Sequence, residues 1–271
     1  MLKISHVCYN YFIIYRVWEG EGMTMTNDER KEFMSYLQTE TKSTHDEIFF
    51  SLFDNISMGD IKAIDVHIND EKSAFNNSMQ ELRDKYPAIE SLKIVLDSIN
   101  LACTNASRFG KLPKQLANLI HKNFEFLIRD ATSIDFLVDT LIKNMLVEYT
   151  SAVHQFSTKN YSTTITSVVN HILGNLNEEL VLQKVGDKYS IHPVHLARKF
   201  KQETGMTFVQ YITTQRLYLA KLLIFSKKLP LSEISILCGF NSQSYFSKVF
   251  KKETGQTPTQ YAQTVHETLI H

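Results

Sequence analysis

Residues 196–205 read Leu196-Ala197-Arg198-Lys199-Phe200-Lys201-Gln202-Glu203-Thr204-Gly205, and residues 246–255 repeat the pattern as Phe246-Ser247-Lys248-Val249-Phe250-Lys251-Lys252-Glu253-Thr254-Gly255. The match continues in the pairs Thr207/Thr257, Gln210/Gln260 and Tyr211/Tyr261. The matching residues are 50 positions apart. A sequence repeat at such a spacing indicates two copies of one supersecondary unit. Each copy predicts a short helix, a tight turn and a second, basic helix that ends at a glycine. We call them the first repeat (residues 182–211) and the second repeat (residues 231–261).

In the first repeat, Leu182, Val185 and Gly186 mark the first helix, and a turn is expected through residues 187–191. Pro193 is expected at the first position of the second helix, where a missing N–H costs nothing. Helical spacing turns Leu196 and Phe200 inward. The outward side chains are Val194, His195, Arg198 and Lys199.

In the second repeat, Leu231, Ile234 and Leu237 are expected to build the first helix, with Gly239 and Phe240 in the turn. Ser242 is the expected N-cap of the second helix. That helix turns Phe246 and Phe250 inward and Gln243, Ser244, Ser247 and Lys248 outward. The repeats align at an offset of 49 before the turn and 50 after it, so the second turn is one residue longer.

Between the repeats, residues 208–226 predict a helix capped by Thr207.

The residues between Asn27 and Phe156 predict five or six helices with apolar stripes at helical spacing. Prolines 87 and 113 and Ser133 are expected near helix starts. The fold class is therefore all-α, with a helical-bundle N-terminal domain and a seven-helix C-terminal domain. The expected boundaries are 1–22 for an uncertain leader, 23–156 for a regulatory or dimerisation domain, 157–164 for a linker and 165–271 for the C-terminal domain. The run Glu19-Gly20-Glu21-Gly22 before Met23 and Met25 resembles a translated ribosome-binding site, so a start at either Met is the alternative to a start at Met1.

Charge is divided between the halves although the chain has a formal net charge of zero. Residues 1–160 carry 17 Lys and Arg against 22 Asp and Glu, and residues 161–271 carry 12 against 7. The cationic half contains the repeats, which suits contact with phosphate groups. Three widely separated cysteines give no disulfide framework, and no apolar run is long enough to cross a membrane. These features indicate a cytoplasmic protein.

The stretch from about Ile165 to Ala262 resembles the DNA-binding domain of the AraC/XylS family of bacterial transcription regulators. The residues that carry the resemblance are Cys238-Gly239-Phe240, Ser244-Tyr245-Phe246-Ser247-Lys248, Phe250-Lys251-Lys252, Gly255, Thr257-Pro258 and Tyr261. The resemblance implies a monomeric domain in which two helix-turn-helix units bind neighbouring major-groove segments. The N-terminal half resembles, more weakly, the helical sensor segment of some Gram-positive members.

The chain departs from the family pattern at four positions. Gly186 and Ser235 stand where alanine is common, and Gly186 is expected to cost the first repeat about 1 kcal/mol of helix propensity. Lys248 stands where arginine is common, which favours a point charge over a two-pronged contact to guanine. Ala262 stands where arginine is usual, which removes one phosphate contact.

These observations predict a sequence-specific, DNA-binding transcription regulator. Activation is the expected mode, and repression stays open as the alternative. Arg198 and Gln243 are the leading candidates for base contacts, to guanine and adenine respectively. The other expected base-contacting residues are His192, Val194, His195, Ser244, Ser247 and Lys248, and the expected phosphate contacts are Lys199, Lys201, Lys251 and Lys252. The expected partners are double-stranded DNA and RNA polymerase.

Several alternatives remain at the level of sequence. An enzyme or repair protein fused to this module would need a catalytic motif in the N-terminal half, where none is apparent, so no catalytic residue and no cofactor is expected. The N-terminal domain either binds an unknown small-molecule effector or acts as a homodimerisation module. His192 and His195 have no acidic or cysteine residue nearby in sequence, so no metal site is expected.

Overall fold

The structure, a computed structural model, describes residues 44–70, 73–225 and 229–268. All regular secondary structure in these ranges is helical, which confirms the predicted all-α class. The first six helices are α1 (Thr44–Met58), α2 (Ile61–Asn69), α3 (Ala74–Lys85), α4 (Ile89–Phe109), α5 (Lys114–Asp130) and α6 (Ile142–Phe156), with a π-helical segment (Phe136–Leu141) leading into α6. The next seven are α7 (Thr163–Gly174), α8 (Leu182–Lys188), α9 (Pro193–Thr204), α10 (Phe208–Phe225), α11 (Leu231–Leu237), α12 (Gln243–Thr254) and α13 (Pro258–Thr268). The expected leader, the start at Met23 or Met25 and the helix expected from Asn27 lie outside the described residues.

By their packing the residues form two compact units. The N-terminal unit contains the described residues up to Gly110 together with Thr132–Gln155. The C-terminal unit contains Lys111–Ala131 and the described residues from Phe156 onward. Helix α5 therefore belongs to the C-terminal unit, although it lies in the first half of the sequence. The domain boundaries at residues 156 and 165 stay predictions.

The N-terminal unit has a polar network inside its apolar core. The Tyr149 hydroxyl donates a hydrogen bond to Asn100 Oδ1 at 2.7 Å and lies 2.7 Å from Thr104 Oγ1. All three side chains are buried. Burial raises the pKa of the Tyr149 phenol well above its usual value. Because buried polar groups are costly unless they are hydrogen-bonded, this network fixes how α4 and α6 pack together.

In the C-terminal unit, α5 packs against α7 and α10. Ile120 and Phe124 are buried, as the stripe in the sequence predicts. The Phe124 ring meets Phe225 of α10 edge to face, with 6.4 Å between the ring centroids. An edge-to-face aromatic pair stabilises the fold by more than the burial of its apolar area alone. Helix α5 thus supplies part of the core on which α10 rests.

Both repeats have an aromatic core, and one aromatic pair, Phe200–Tyr211 and Phe250–Tyr261, is common to the two. In the first repeat, the Phe200 ring lies 5.3 Å from Tyr211 and 5.6 Å from Phe208. In the second repeat, Phe250 lies 5.4 Å from Tyr261 and 5.5 Å from Phe246. The buried residues of the second core are Leu217, Ala220, Ile224, Ile234, Cys238, Phe240, Phe246 and Phe250. Three of them, Leu217, Ala220 and Ile224, lie on α10, which also supplies Phe208 and Tyr211 to the first core, so α10 is shared between the repeats.

Candidate nucleic-acid interface

In each repeat, the second helix begins at a proline or a capping serine and ends at a glycine. We call α9 and α12 the recognition helices. Pro193 is in the first turn of α9, and the Ser242 hydroxyl caps α12 by accepting from the Tyr245 N–H at 3.2 Å, so both predicted starts are confirmed. Gly205 and Gly255 end the helices with φ angles of 74° and 79°. In this left-handed region glycine escapes the strain that a Cβ atom imposes.

The threonines and glutamines of the repeated stretch are structural. The Thr204 hydroxyl donates to the Phe200 carbonyl at 2.7 Å, and Thr254 does the same with Phe250 at 2.8 Å. Thr207 and Gln210 then form a capping box at the start of α10: the Gln210 N–H donates to Thr207 Oγ1, and the Thr207 N–H donates to Gln210 Oε1. Thr257 and Gln260 repeat these bonds at the start of α13. The predicted cap at Thr207 is confirmed.

The turns of the two repeats have the same hydrogen bond, but the second turn contains one additional residue. The Ile191 N–H donates to the Gly186 carbonyl at 2.9 Å, and the Phe240 N–H donates to the Ser235 carbonyl at 3.0 Å. The residues that form these two bonds are 49 positions apart in the sequence. The N-caps that follow, His192 and Ser242, are 50 positions apart. Asn241 is therefore the extra residue of the second turn. The first turn begins later than the sequence predicts, because α8 continues through Lys188.

Gly186 has a packing role that its helix propensity does not reveal. A Cβ atom at this position would lie 2.7 Å from the Ile191 carbonyl oxygen, well inside van der Waals contact. At the equivalent position of the longer second turn, Ser235 is buried and its hydroxyl donates to the Ser232 carbonyl at 2.7 Å. Glycine at position 186 thus leaves room for the Ile191 carbonyl, whereas Ser235 satisfies its hydroxyl within its own helix.

Leu231, Ile234 and Leu237 all lie in α11, as the sequence predicts, and Leu237 is 48% exposed. The buried positions near it are Ile234, Ser235 and Cys238. In a helix, the residue four positions after Ile234 lies over the same face, and that residue is Cys238. Cys238 thus occupies the buried position, and Leu237 lies on the exposed side of α11.

The first recognition helix exposes Val194, His195, Arg198 and Lys201 together. His192, at the N-cap, is exposed beside them. Arg198 Nη2 lies 3.3 Å from His195 Nδ1. A guanidinium group only donates, so the imidazole nitrogen is the acceptor in this contact. The expected base-contacting residues of the first repeat thus share one accessible surface.

Lys199, an expected phosphate contact, is placed differently from Lys201. Its ammonium nitrogen lies 3.9 Å from Glu203 Oε1, and its side chain is only about one-third exposed. Glu203 also accepts from the Ser162 N–H at 2.6 Å and from the Ser162 hydroxyl at 2.9 Å. Lys199 thus lies near a carboxylate that is bonded to the start of α7, whereas Lys201 faces solvent.

The second recognition helix exposes Gln243, Ser244 and Lys248 near its start, with Ser247 half-buried. Lys251 and Lys252 are exposed near its end. The structure therefore brings the expected residues to one helix surface. Their contacts with bases and phosphates stay predictions.

Three further residues of the C-terminal unit were not singled out as site residues from the sequence. Tyr245 is 58% exposed and packs against Phe240, with 6.3 Å between ring centroids. Its equivalent in the first repeat is His195, so the offset of 50 would have identified it. Glu203 and Arg216 carry long-range hydrogen bonds to loop backbone, for which the sequence contains no signal.

Arg216 of α10 holds the loop between α7 and α8. Its Nε donates to the Leu176 carbonyl at 2.9 Å, and its Nη2 donates to the Glu178 carbonyl at 2.8 Å. Gly239 of the second turn lies against the same group, since a Cβ atom there would be 2.9 Å from the Arg216 guanidinium carbon and 2.1 Å from the Leu176 oxygen. Through Arg216 and Gly239, the turn of the second repeat therefore packs against the loop between α7 and α8, which precedes the first repeat.

Cys238, next to this turn, is a buried thiol. Burial raises its pKa to about 12. A neutral, inaccessible thiol has little nucleophilic or metal-binding character. Among the described residues, no three His, Cys, Asp or Glu side chains are arranged to hold a metal ion. Every helix in the same residues is too short or too polar to cross a bilayer.

Comparison with known proteins places residues 185–264 in a helix-turn-helix domain family. The transcriptional activator RhaR of Escherichia coli K12 is 36% identical over 99 residues, which are 36% of this chain and 35% of RhaR. The chain thus matches about one-third of the length of this relative. The C-terminal domain of AraT, a response regulator from Geobacillus stearothermophilus, shares 35% identity over 38% of this chain and 86% of that domain, with a TM-score of 0.37. The corresponding domain of the response regulator yesN from Fusobacterium nucleatum shares 29% identity over 37% and 99% of the two chains, with a TM-score of 0.36.

The C-terminal region is therefore a double helix-turn-helix domain. It is a domain of the AraC/XylS type, and the resemblance seen in the sequence is confirmed.

Proposed function

We propose that this protein is a transcription regulator that binds double-stranded DNA sequence-specifically with α9 and α12. The observation that carries the proposal is the pair of recognition helices, which both expose polar and basic residues and are linked through a shared helix. Helix α10 has 18 residues, which corresponds to a rod of about 27 Å. Successive major-groove segments on one side of B-DNA are about 34 Å apart. A rigid connection of this order suits two neighbouring groove segments.

Charge supports the same function. Arg198 and Lys201 on α9 and Lys248, Lys251 and Lys252 on α12 are exposed. Lysine and arginine that approach phosphates release condensed counterions, and this release drives association with DNA. We expect residues near the starts of the two recognition helices to contact bases, and the lysines further along to contact phosphates.

The test is a random-site selection with the full chain, followed by binding measurements over a range of salt concentrations. We expect a site in two parts about 10 base pairs apart. Arg198→Ala should relax the preference in one part, and Gln243→Ala should relax it in the other. Lys114→Ala, which removes one charge from α5 outside the repeats, is the matched control and should leave both preferences unchanged. Selection of no sequence, or affinity that does not fall with salt, would contradict the proposal.

The regulatory consequences belong to the same proposal. RhaR is named as a transcriptional activator, and we propose activation through RNA polymerase for this protein as well, in the cytoplasm and without catalytic chemistry. We propose that the N-terminal unit regulates this activity, either through a small-molecule effector or through homodimerisation. A promoter fused to the selected site should respond to the full chain in a reporter assay. Mass measurement in solution, with and without candidate effectors, separates the two modes of regulation.

A further inference from the structure

The two repeats differ chemically along one stripe of their recognition surfaces. Val194, Ala197 and Val209 of the first repeat correspond, at the offset of 50, to Ser244, Ser247 and Thr259 of the second repeat. Three apolar side chains are thus replaced by three hydroxyls at equivalent positions. The flanking cations are kept, since Arg198 corresponds to Lys248 and Lys201 to Lys251. At these three positions the difference is between apolar and hydroxyl side chains, beside cations that both repeats keep.

The apolar side chains of the first repeat line one open groove. Val194 is 72% exposed and Val209 is 70% exposed, and both border the groove with Ala197, Arg198 and Lys201. Val194 is the second residue of α9. This is the part of a recognition helix that approaches base edges. An apolar group at this place, flanked by two cations that attract phosphates, is positioned for a DNA base and not for the chain's own core.

The major-groove edge of DNA has one apolar feature, the C5-methyl group of thymine. Hydroxyl groups, in contrast, bond to donors or acceptors of several bases and carry less discrimination. We infer that Val194 is a specificity-determining residue that selects a thymine methyl group in the half-site bound by the first repeat. Ala197 shapes the same contact from the next turn of α9. The second repeat, with Ser244 and Ser247 at these positions, has no such requirement. This inference rests on the proposed function and adds the chemical identity of one recognised group.

The experiment uses the full chain and the best duplex from the random-site selection. Each thymine of that duplex is replaced in turn by deoxyuridine, which removes the methyl group and leaves every hydrogen-bonding group in place. At one thymine of the first half-site we expect the affinity of the unaltered protein to fall about three- to fivefold, the effect of losing one buried methyl-sized contact. Uridine elsewhere in that half-site should change the affinity less than twofold.

Two protein variants test whether Val194 is responsible. Val194→Ser gives the first repeat the residue of the second repeat, and it should bind the thymine and uridine duplexes equally. Ser244→Val makes the reciprocal change and should create a new sensitivity to uridine in the second half-site. Both positions are exposed, so each variant should keep the thermal unfolding midpoint of the parent.

The outcomes separate this inference from the function on which it rests. If no sequence is selected, the proposed function fails. If a site is selected but no uridine substitution in the first half-site matters, the function stands and the thymine contact is wrong. If Val194→Ser keeps the full uridine effect, a different residue contacts the methyl group and the assignment to Val194 is overturned.

Discussion

Ser190 and Gly239 occupy the same position in the turns of the two repeats, and both have a left-handed backbone. Their φ angles are 56° and 77°. Each N–H donates to the carbonyl three residues earlier, at Asp187 and Ile236 respectively. The same turn is thus built once with a strained serine and once with an unstrained glycine.

Replacing Ser190 by glycine should stabilise the first repeat. Removal of the Cβ strain gains about 1–2 kcal/mol, and the greater freedom of glycine in the unfolded chain cancels about 0.5–1 kcal/mol of it. We expect a net gain of about 0.5–1 kcal/mol in the free energy of unfolding, measured by urea denaturation. Gly239→Ser is the reciprocal control. Its Cβ atom would lie 2.1 Å from the Leu176 oxygen, so this variant should unfold far more easily. Equal effects of the two substitutions would show that the turns are not equivalent.

Gly186→Ala should destabilise the protein even though alanine is the better helix former. The gain in helix propensity is about 1 kcal/mol. It is exceeded by the clash of the new Cβ atom with the Ile191 carbonyl, which forces the short turn to move. We expect a net loss of about 1–3 kcal/mol, within the range observed for overpacked sites. A Gly186→Ala variant as stable as the parent would contradict this clash.

Lys199 and Lys201 should differ in their contribution to DNA binding. Lys201→Ala should weaken binding to all sequences alike and reduce the salt dependence by about one counterion. Lys199→Ala should have less effect on binding, because its ammonium group lies near Glu203 and its side chain is largely covered. The measurement is the slope of affinity against salt for both variants. Equal slopes would mean that Lys199 leaves Glu203 when DNA is bound.

The thiol of Cys238 should resist alkylation in the folded protein. Its pKa is raised to about 12 by burial, so the reactive thiolate is scarce at pH 8, and the sulfur is inaccessible. Iodoacetamide followed by peptide mass mapping should label Cys238 only after urea is added. Cys103, which is also buried with a pKa raised to about 12, is the internal control. Rapid labelling of Cys238 without urea would show that the second turn opens readily.

Phe124→Ala should destabilise the C-terminal unit. Deleting a buried phenylalanine ring typically costs about 3–5 kcal/mol, and this ring meets Phe225 of α10. Hydrogen exchange should therefore increase in peptides from α5, α7 and α10. Phe126→Ala, on the same helix but only half-buried, should have a smaller effect. Unchanged exchange in α10 would mean that α5 does not support it.

The sequence was most informative where local chemistry determines structure. Ser242 and Thr207 were identified as caps because hydroxyls at these places satisfy helix N–H groups, and Pro193 as a helix start because it lacks an N–H. The role of Gly186 depends on how near Ile191 comes across a turn, which spacing does not reveal. Likewise, the apolar stripe of α5 shows that one face is buried, but not which helices bury it.

The placement of α5 in the C-terminal unit has a consequence for synthesis of the chain. Its buried residues, including Phe124, leave the ribosome before their partners in α7 and α10 exist. Completing α10 requires 95 further residues after Asp130. At bacterial rates of about 5–20 residues per second, that stretch takes roughly 5–20 seconds. During this interval the apolar face of α5 is accessible to chaperones, so the nascent protein passes through a stage of vulnerability to aggregation that ends only when α10 emerges.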